Sequence, residues 1–114
     1  MRLRNTVAAA VGAAVLVLTV PTSASAAGGE FRYTYRDHAG YAREGRLIDP
    51  PSRECITLPQ TEDRDAPSAD SPRNDTDATA TVFTGDNCDG DWFSLRPFGG
   101  RASERLKLRS VVFS

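Results

Sequence analysis

The sequence predicts an all-β domain closed by one disulfide. Three observations carry that expectation. Apolar residues alternate with polar ones over short runs and do not recur at helical spacing. Those runs are cut by Gly, Pro, Asp and Asn. Two cysteines, Cys55 and Cys88, follow an N-terminal segment with the layout of an export signal.

Residues 1–26 supply the export argument. Arg2 and Arg4 make the start positive, Val7 to Val20 is an uncharged apolar run of 14 residues, and Ala24-Ser25-Ala26 is a small-x-small cleavage signal. A membrane-spanning helix needs roughly 20 apolar residues, so the run reads as a cleavable signal and not as an anchor. A single secreted domain over 27–114 follows, with no membrane span after cleavage. Without Arg2 and Arg4, 12 basic residues stand against 15 acidic ones, a net charge of −3. That balance is not the basic footprint of a nucleic-acid binder. Thirteen of the 14 basic residues are arginine, the bias of a high-GC bacterial coding sequence.

A domain of this size buries only around 60–65% of its unfolded surface, so its core is modest. Export places Cys55 and Cys88 where a bridge persists. Cys-x32-Cys is not a metal spacing, and the single His38 does not complete a site, which favours the bridge over free thiols or a metal pair. Closing a loop of that length is worth roughly 3.5–4 kcal/mol on the chain-entropy estimate.

The elements then run in order. Phe31, Tyr33 and Tyr35 alternate with Arg32, Thr34 and Arg36 as a half-buried strand. Asp37 to Gly40 turns, Tyr41 to Ile48 returns, and Pro50-Pro51 stops it. Cys55 to Leu58 is a short strand ended by Pro59. Pro59 to Asp77 holds three prolines, many acids and almost no large apolar side chain, and is expected to be a long acidic loop. Thr79 to Thr84 and Asp91 to Arg96 are strands around a Gly85-Asp86-Asn87 turn, and Pro97 to Gly100 breaks the chain again. Leu106 and Leu108 share one parity while Val111 and Phe113 take the other, so a bulge near Arg109-Ser110 or a strand buried on both faces is expected.

An offset of 50 residues aligns Tyr33 with Phe83, His38 with Cys88, Gly40 with Gly90, Ile56 with Leu106 and Leu58 with Leu108. The pattern aromatic-x4-X-x-Gly thus occurs twice, as Tyr33…His38-Ala39-Gly40 and as Phe83…Cys88-Asp89-Gly90. Together with Asn74-Asp75-Thr76, Ala80 to Phe83, Pro97 and Arg109 to Phe113, it resembles the Greek-key motif of the βγ-crystallin superfamily. The resemblance is to the small secreted bacterial members, among them a metalloproteinase inhibitor and killer-toxin-like proteins. It covers residues 74–113 better than 31–58, and it implies a small Greek-key β-sandwich of two four-stranded motifs. His38 stands where that family prefers an aromatic. The calcium-binding members carry a (Asn/Asp)-(Asn/Asp)-x-x-(Ser/Thr)-Ser segment. The nearest one here, Asn74 to Thr79, has Ala78 in the fifth position and Thr79 in the sixth.

Candidate chemistry is sparse. Asp86, Asp89 and Asp91 cluster around Gly90 and are weak calcium candidates, since such residues are also what turns select. His38 reads as a turn residue, no serine sits in a nucleophile motif, and oxidised cysteines offer no thiolate. Glu44 with Asp49 or Glu54 has the composition of a carboxylate pair, as any acidic protein does. Asn74-Asp75-Thr76 matches a glycosylation sequon that reads as loop composition. Adjacent Trp92 and Phe93 point to opposite faces of a strand, which leaves one of them partly exposed. The sequence therefore reads as a monomeric, non-enzymatic secreted binding protein without a cofactor. An extracellular proteinase is the leading partner, with Arg64 and Arg73 as anchors in the acidic loop. The alternatives are a secreted antimicrobial protein of the killer-toxin kind and a structural, envelope-associated protein.

Overall fold

The first expected strand organises the fold. In the computed structural model, which describes residues 26–114, β1 (Gly29–Arg36) turns Phe31 and Tyr33 inward and Arg32 and Thr34 outward. β2 (Ala42–Ile48) returns beside it in unbroken antiparallel register from Glu30↔Ile48 to Arg36↔Ala42. Asp37 closes the turn: its carboxylate accepts from the N–H groups of Ala39 and Tyr41, both at 2.9 Å, and Gly40 takes a φ of 87°. Tyr33 lies opposite Gly45, where any Cβ would run into its ring, so the strand needs a glycine there. Burial pushes the Tyr33 phenol up to about 12, and its hydroxyl donates to Gln60 Oε1 at 2.7 Å.

The remaining strands are β3 (Ile56–Thr57), β4 (Ala69–Thr76), β5 (Ala80–Phe83), β6 (Trp92–Leu95), β7 (Gly100–Arg101), β8 (Lys107–Leu108) and β9 (Ser110–Phe113). All pairings are antiparallel. The larger sheet has the order β2-β1-β4-β7, with β8 also on β4, and the smaller has the order β3-β9-β5-β6. Among the described residues no helix reaches seven residues, and 59–61 and 86–88 form short 3-10 turns. The sheets enclose a core of Phe31, Leu58, Val82, Leu108, Val111 and Phe113. Phe31 of the larger sheet meets Phe113 of the smaller edge-on, with ring centroids 5.5 Å apart. The Cys55–Cys88 disulfide is present, with its Cα atoms 5.9 Å apart, and it ties the approach to β3 onto the 86–88 turn. The expected signal segment, residues 1–26, lies outside the described residues apart from Ala26.

The expectation of one loop over Pro59–Asp77 is corrected in its second half. Residues 69–76 are β4, which lies between β1 and the β7 and β8 segments at the centre of the larger sheet. Its inward positions are Ala69, Pro72, Asn74 and Thr76, small or polar residues that give no hydrophobic alternation. Burying them works because their polar atoms are satisfied. Asn74 Nδ2 donates to the carbonyls of Ala78 at 2.7 Å, Arg96 at 3.1 Å and Leu95 at 3.2 Å. Asn74 Oδ1 in turn accepts from the Thr76 hydroxyl at 2.7 Å. Pro72 is tolerated because the β1–β4 register shifts beside it, where Ser71 adopts a φ of 53°.

Two further differences concern the end of the chain. The parity break at Arg109-Ser110 is where the chain passes between sheets: Leu108 pairs with Ala69 in the larger sheet, and Ser110 pairs with Phe83 in the smaller. Leu108, Val111 and Phe113 are therefore all buried, although they do not share one parity. Gly100, the last residue of the expected Pro97–Gly100 break, joins Arg101 as β7 and adds to β4.

Candidate functional site

The connection from β3 to β4 is the irregular segment most elaborately held by the rest of the chain. It leaves the core at buried Leu58, where Pro59 opens a 3-10 turn. The Thr61 hydroxyl donates back to the Leu58 carbonyl at 3.0 Å. Residues 63–66 then form a closed bend: Ala66 N–H donates to the Asp63 carbonyl and Asp65 N–H to the Asp63 side chain, each at 2.9 Å. The segment re-enters the larger sheet at Ala69, opposite Leu108.

Arg109 clasps this segment from the body of the protein. It sits at the crossing between β8 and β9, and its carbonyl accepts from Leu58 N–H at 2.8 Å. Its Nη1 donates to the Thr61 carbonyl at 2.8 Å and to the Asp63 carbonyl at 3.4 Å, and its Nη2 donates to the Ala66 carbonyl. One guanidinium thus satisfies three carbonyls that would otherwise leave the bend free to open. Asp63, Arg64 and Asp65 remain exposed at the tip. A hollow of about 830 Å³ lies on one side, lined among others by Tyr35, His38, Gln60 and Asp65. On the other side Arg64 and Arg109 border a smaller hollow of about 290 Å³ with Thr84 and Asp86. The segment is a ridge between two depressions.

Of the two anchor arginines, only Arg64 belongs to the ridge. Arg73 lies on β4, where its Nε bonds Asp75 at 2.9 Å on the outer face of the larger sheet. Arg32 reaches the same carboxylate at 2.6 Å, and these partners, Arg32 first, hold Asp75 below the usual carboxylate range. Of Asp86, Asp89 and Asp91, Asp89 turns its carboxylate to local structure, accepting from Gly90 N–H at 2.8 Å, while Asp86 accepts from Asp89 N–H at 3.2 Å through its backbone carbonyl. Among the described residues no three His, Cys, Asp or Glu side chains gather as metal ligands. In the Asn74–Thr79 segment, Asn74 and Thr76 turn inward onto protein partners. His38 is exposed in the first turn, and Asp49 accepts from Gly29 N–H at 2.8 Å.

Two features escape sequence reasoning. Arg109 gives one signal, a cation at the point where strand parity breaks. Trp92 and Phe93 are both exposed, at 67% and 48%, where only one was expected; both lie on β6, the edge strand of the smaller sheet. No helix among the described residues is long and apolar enough to cross a membrane. No family model matches the chain, and neither a curated protein nor a solved structure matches it.

Proposed function

We propose that this chain is a secreted, non-enzymatic binding protein with a βγ-crystallin-like pair of Greek keys, which presents residues 59–68 to an extracellular proteinase. The strand order supports the fold reading. In each half the last strand lies beside the first, β4 by β1 and β9 by β5, while the strands before it cross to the opposite sheet, β3 to β9 and the short β7 and β8 to β4. Tyr33 and Phe83, related by the 50-residue offset, occupy the first strands of the two halves. The disulfide supports export.

The observation that carries the functional reading is the Arg109 clasp. A loop held in one conformation before binding loses little entropy when it docks, and that preorganisation favours an inhibitor over a substrate. The closed bend at 63–66 refines the idea. Proteins that capture peptides by strand addition need an extended backbone, and the Asp63–Ala66 hydrogen bond denies it. Arg64 therefore plugs a pocket selective for basic side chains, while the Arg64–Asp65 bond stays out of line for cleavage.

The test is a titration of the oxidised protein against secreted serine and metalloproteinases. Stoichiometric inhibition of a proteinase that prefers basic residues, lost on Arg64→Ala and weakened on Arg109→Met, is the expected result. Indifference of every proteinase, or rapid cleavage after Arg64, overturns it.

A further inference from the structure

The exposed aromatics of the smaller sheet lie on a strand with one open side. β6 ends the order β3-β9-β5-β6, and it carries Trp92 and Phe93. In an antiparallel pair, alternate residues direct their N–H and C=O groups at the neighbouring strand. Thr84 N–H donates to the Asp91 carbonyl at 2.9 Å, and Val82↔Phe93 and Ala80↔Leu95 continue the register. Asp91, Phe93 and Leu95 thus direct their groups at β5. Trp92 and Ser94 direct theirs outward, where no strand among the described residues receives them.

The other strand edges are guarded. β2 carries Arg43, Glu44 and Arg46, and β3 and β7 are only two residues long. Charge and shortness are the usual means of keeping an edge from pairing with another chain. The four residues of β6, Trp-Phe-Ser-Leu, have neither charge nor proline.

We infer that β6 pairs antiparallel with β6 of a second copy, about a two-fold axis through Phe93. Hydrogen bonding selects this register. Setting Trp92 opposite Ser94 of the second copy uses all the outward groups of both strands. A register centred on Ser94 would instead place Trp92 opposite Arg96, whose carbonyl already accepts from Gly100 N–H at 3.2 Å and Asn74 Nδ2 at 3.1 Å. In the selected register the two Phe93 side chains meet across the axis at a non-hydrogen-bonded position, where Cα atoms approach to about 4.5 Å. The contact is isologous and closes on itself, so it yields a dimer and not a fibre.

Sedimentation velocity of the oxidised protein tests this, over about 10 µM to about 1 mM, the range suited to so small a contact. The expected result is a monomer–dimer equilibrium that Ser94→Pro abolishes. That change removes an outward N–H and spares every backbone hydrogen bond between β5 and β6, at the loss of the exposed Thr81–Ser94 hydroxyl contact at 3.3 Å. Should Ser94→Pro fail to fold, Phe93→Lys sets two like charges across the axis and must also leave a monomer. Under air, Phe93→Cys should form a disulfide-linked dimer several times faster than Ala42→Cys on the charged edge. A protein that stays monomeric to the top of the range overturns the inference. So does a dimer indifferent to Phe93→Lys, or equal cross-linking of the two cysteine variants.

Discussion

Across the outer face of the larger sheet, Arg46, Arg32, Arg73 and Arg101 stand in one row, each opposite the next on neighbouring strands. The corresponding face of the smaller sheet presents Trp92 opposite Phe83, and Thr81 between Ser94 and Val112, with no charge among them. Like charges in direct opposition destabilise a sheet, so the arginine row persists only because acids flank it. Glu30 lies 3.5 Å from Arg46, Glu44 lies 3.7 Å from Arg32, and Asp75 is shared by Arg32 and Arg73. Exposed pairs of this kind contribute about 0–1 kcal/mol each. Their greater effect is to keep that face and its β2 edge wetted. The smaller sheet is secured differently, by the Cys55–Cys88 bridge near β3 at one edge, and its other edge is left open. The same short chain thus guards one sheet with charge and the other with a covalent bond, and only the first method also deters a partner.

The most damaging way to break this comparison is to attack what the sheets share. Phe31 belongs to the larger sheet but packs on Phe113 of the smaller. Phe31→Ala should cost about 3–5 kcal/mol and lower both sheets in one cooperative transition, read by Trp92 fluorescence and far-ultraviolet circular dichroism together. Separate transitions would mean the sheets are independent units. Cys88→Ser comes next, with an expected loss of about 2–4 kcal/mol in chemical denaturation; an unchanged midpoint would remove the bridge from the account of the smaller sheet.

Acid and alkali sharpen the contrast most gently, because they act on the larger sheet alone. Asp75 is depressed in the folded state, chiefly by the hydrogen bond from Arg32, so its contribution is present above the ordinary carboxylate range and is lost as pH falls through the folded value. Asp75→Asn should flatten the acid limb of stability against pH. Tyr33 has the opposite sense. Burial raises it to about 12, so the folded state holds its proton more tightly, and stability falls as pH rises from about 10 toward that value. Tyr33→Phe should remove the alkaline loss, as measured by denaturant midpoints across that window.

Much of the first half was legible because its signals are local. Phe31-x-Tyr33 alternation, the Asp37 turn and the return to Ile48 each depend on residues within a few positions of one another. The acidic tract was legible only to Ser68. Beyond it, hydropathy reports large apolar side chains, whereas β4 buries Asn74 and Thr76 by lending them carbonyls from residues 78, 95 and 96. The candidate site is half visible in the sequence: Arg64 stands on the ridge, Arg73 lies on β4 and not in a loop, and Arg109 gives only a parity break.

By itself, then, the sequence determined the class of fold, the cysteine pair and the first hairpin, since strand periodicity, turn chemistry and oxidation depend on neighbours or on composition. Only the tertiary structure decided that β4 is central, that Arg109 clasps the ridge and that β6 has an open side. A buried polar strand, a long-range clasp and a free edge exist only once distant backbone groups have found, or failed to find, their partners.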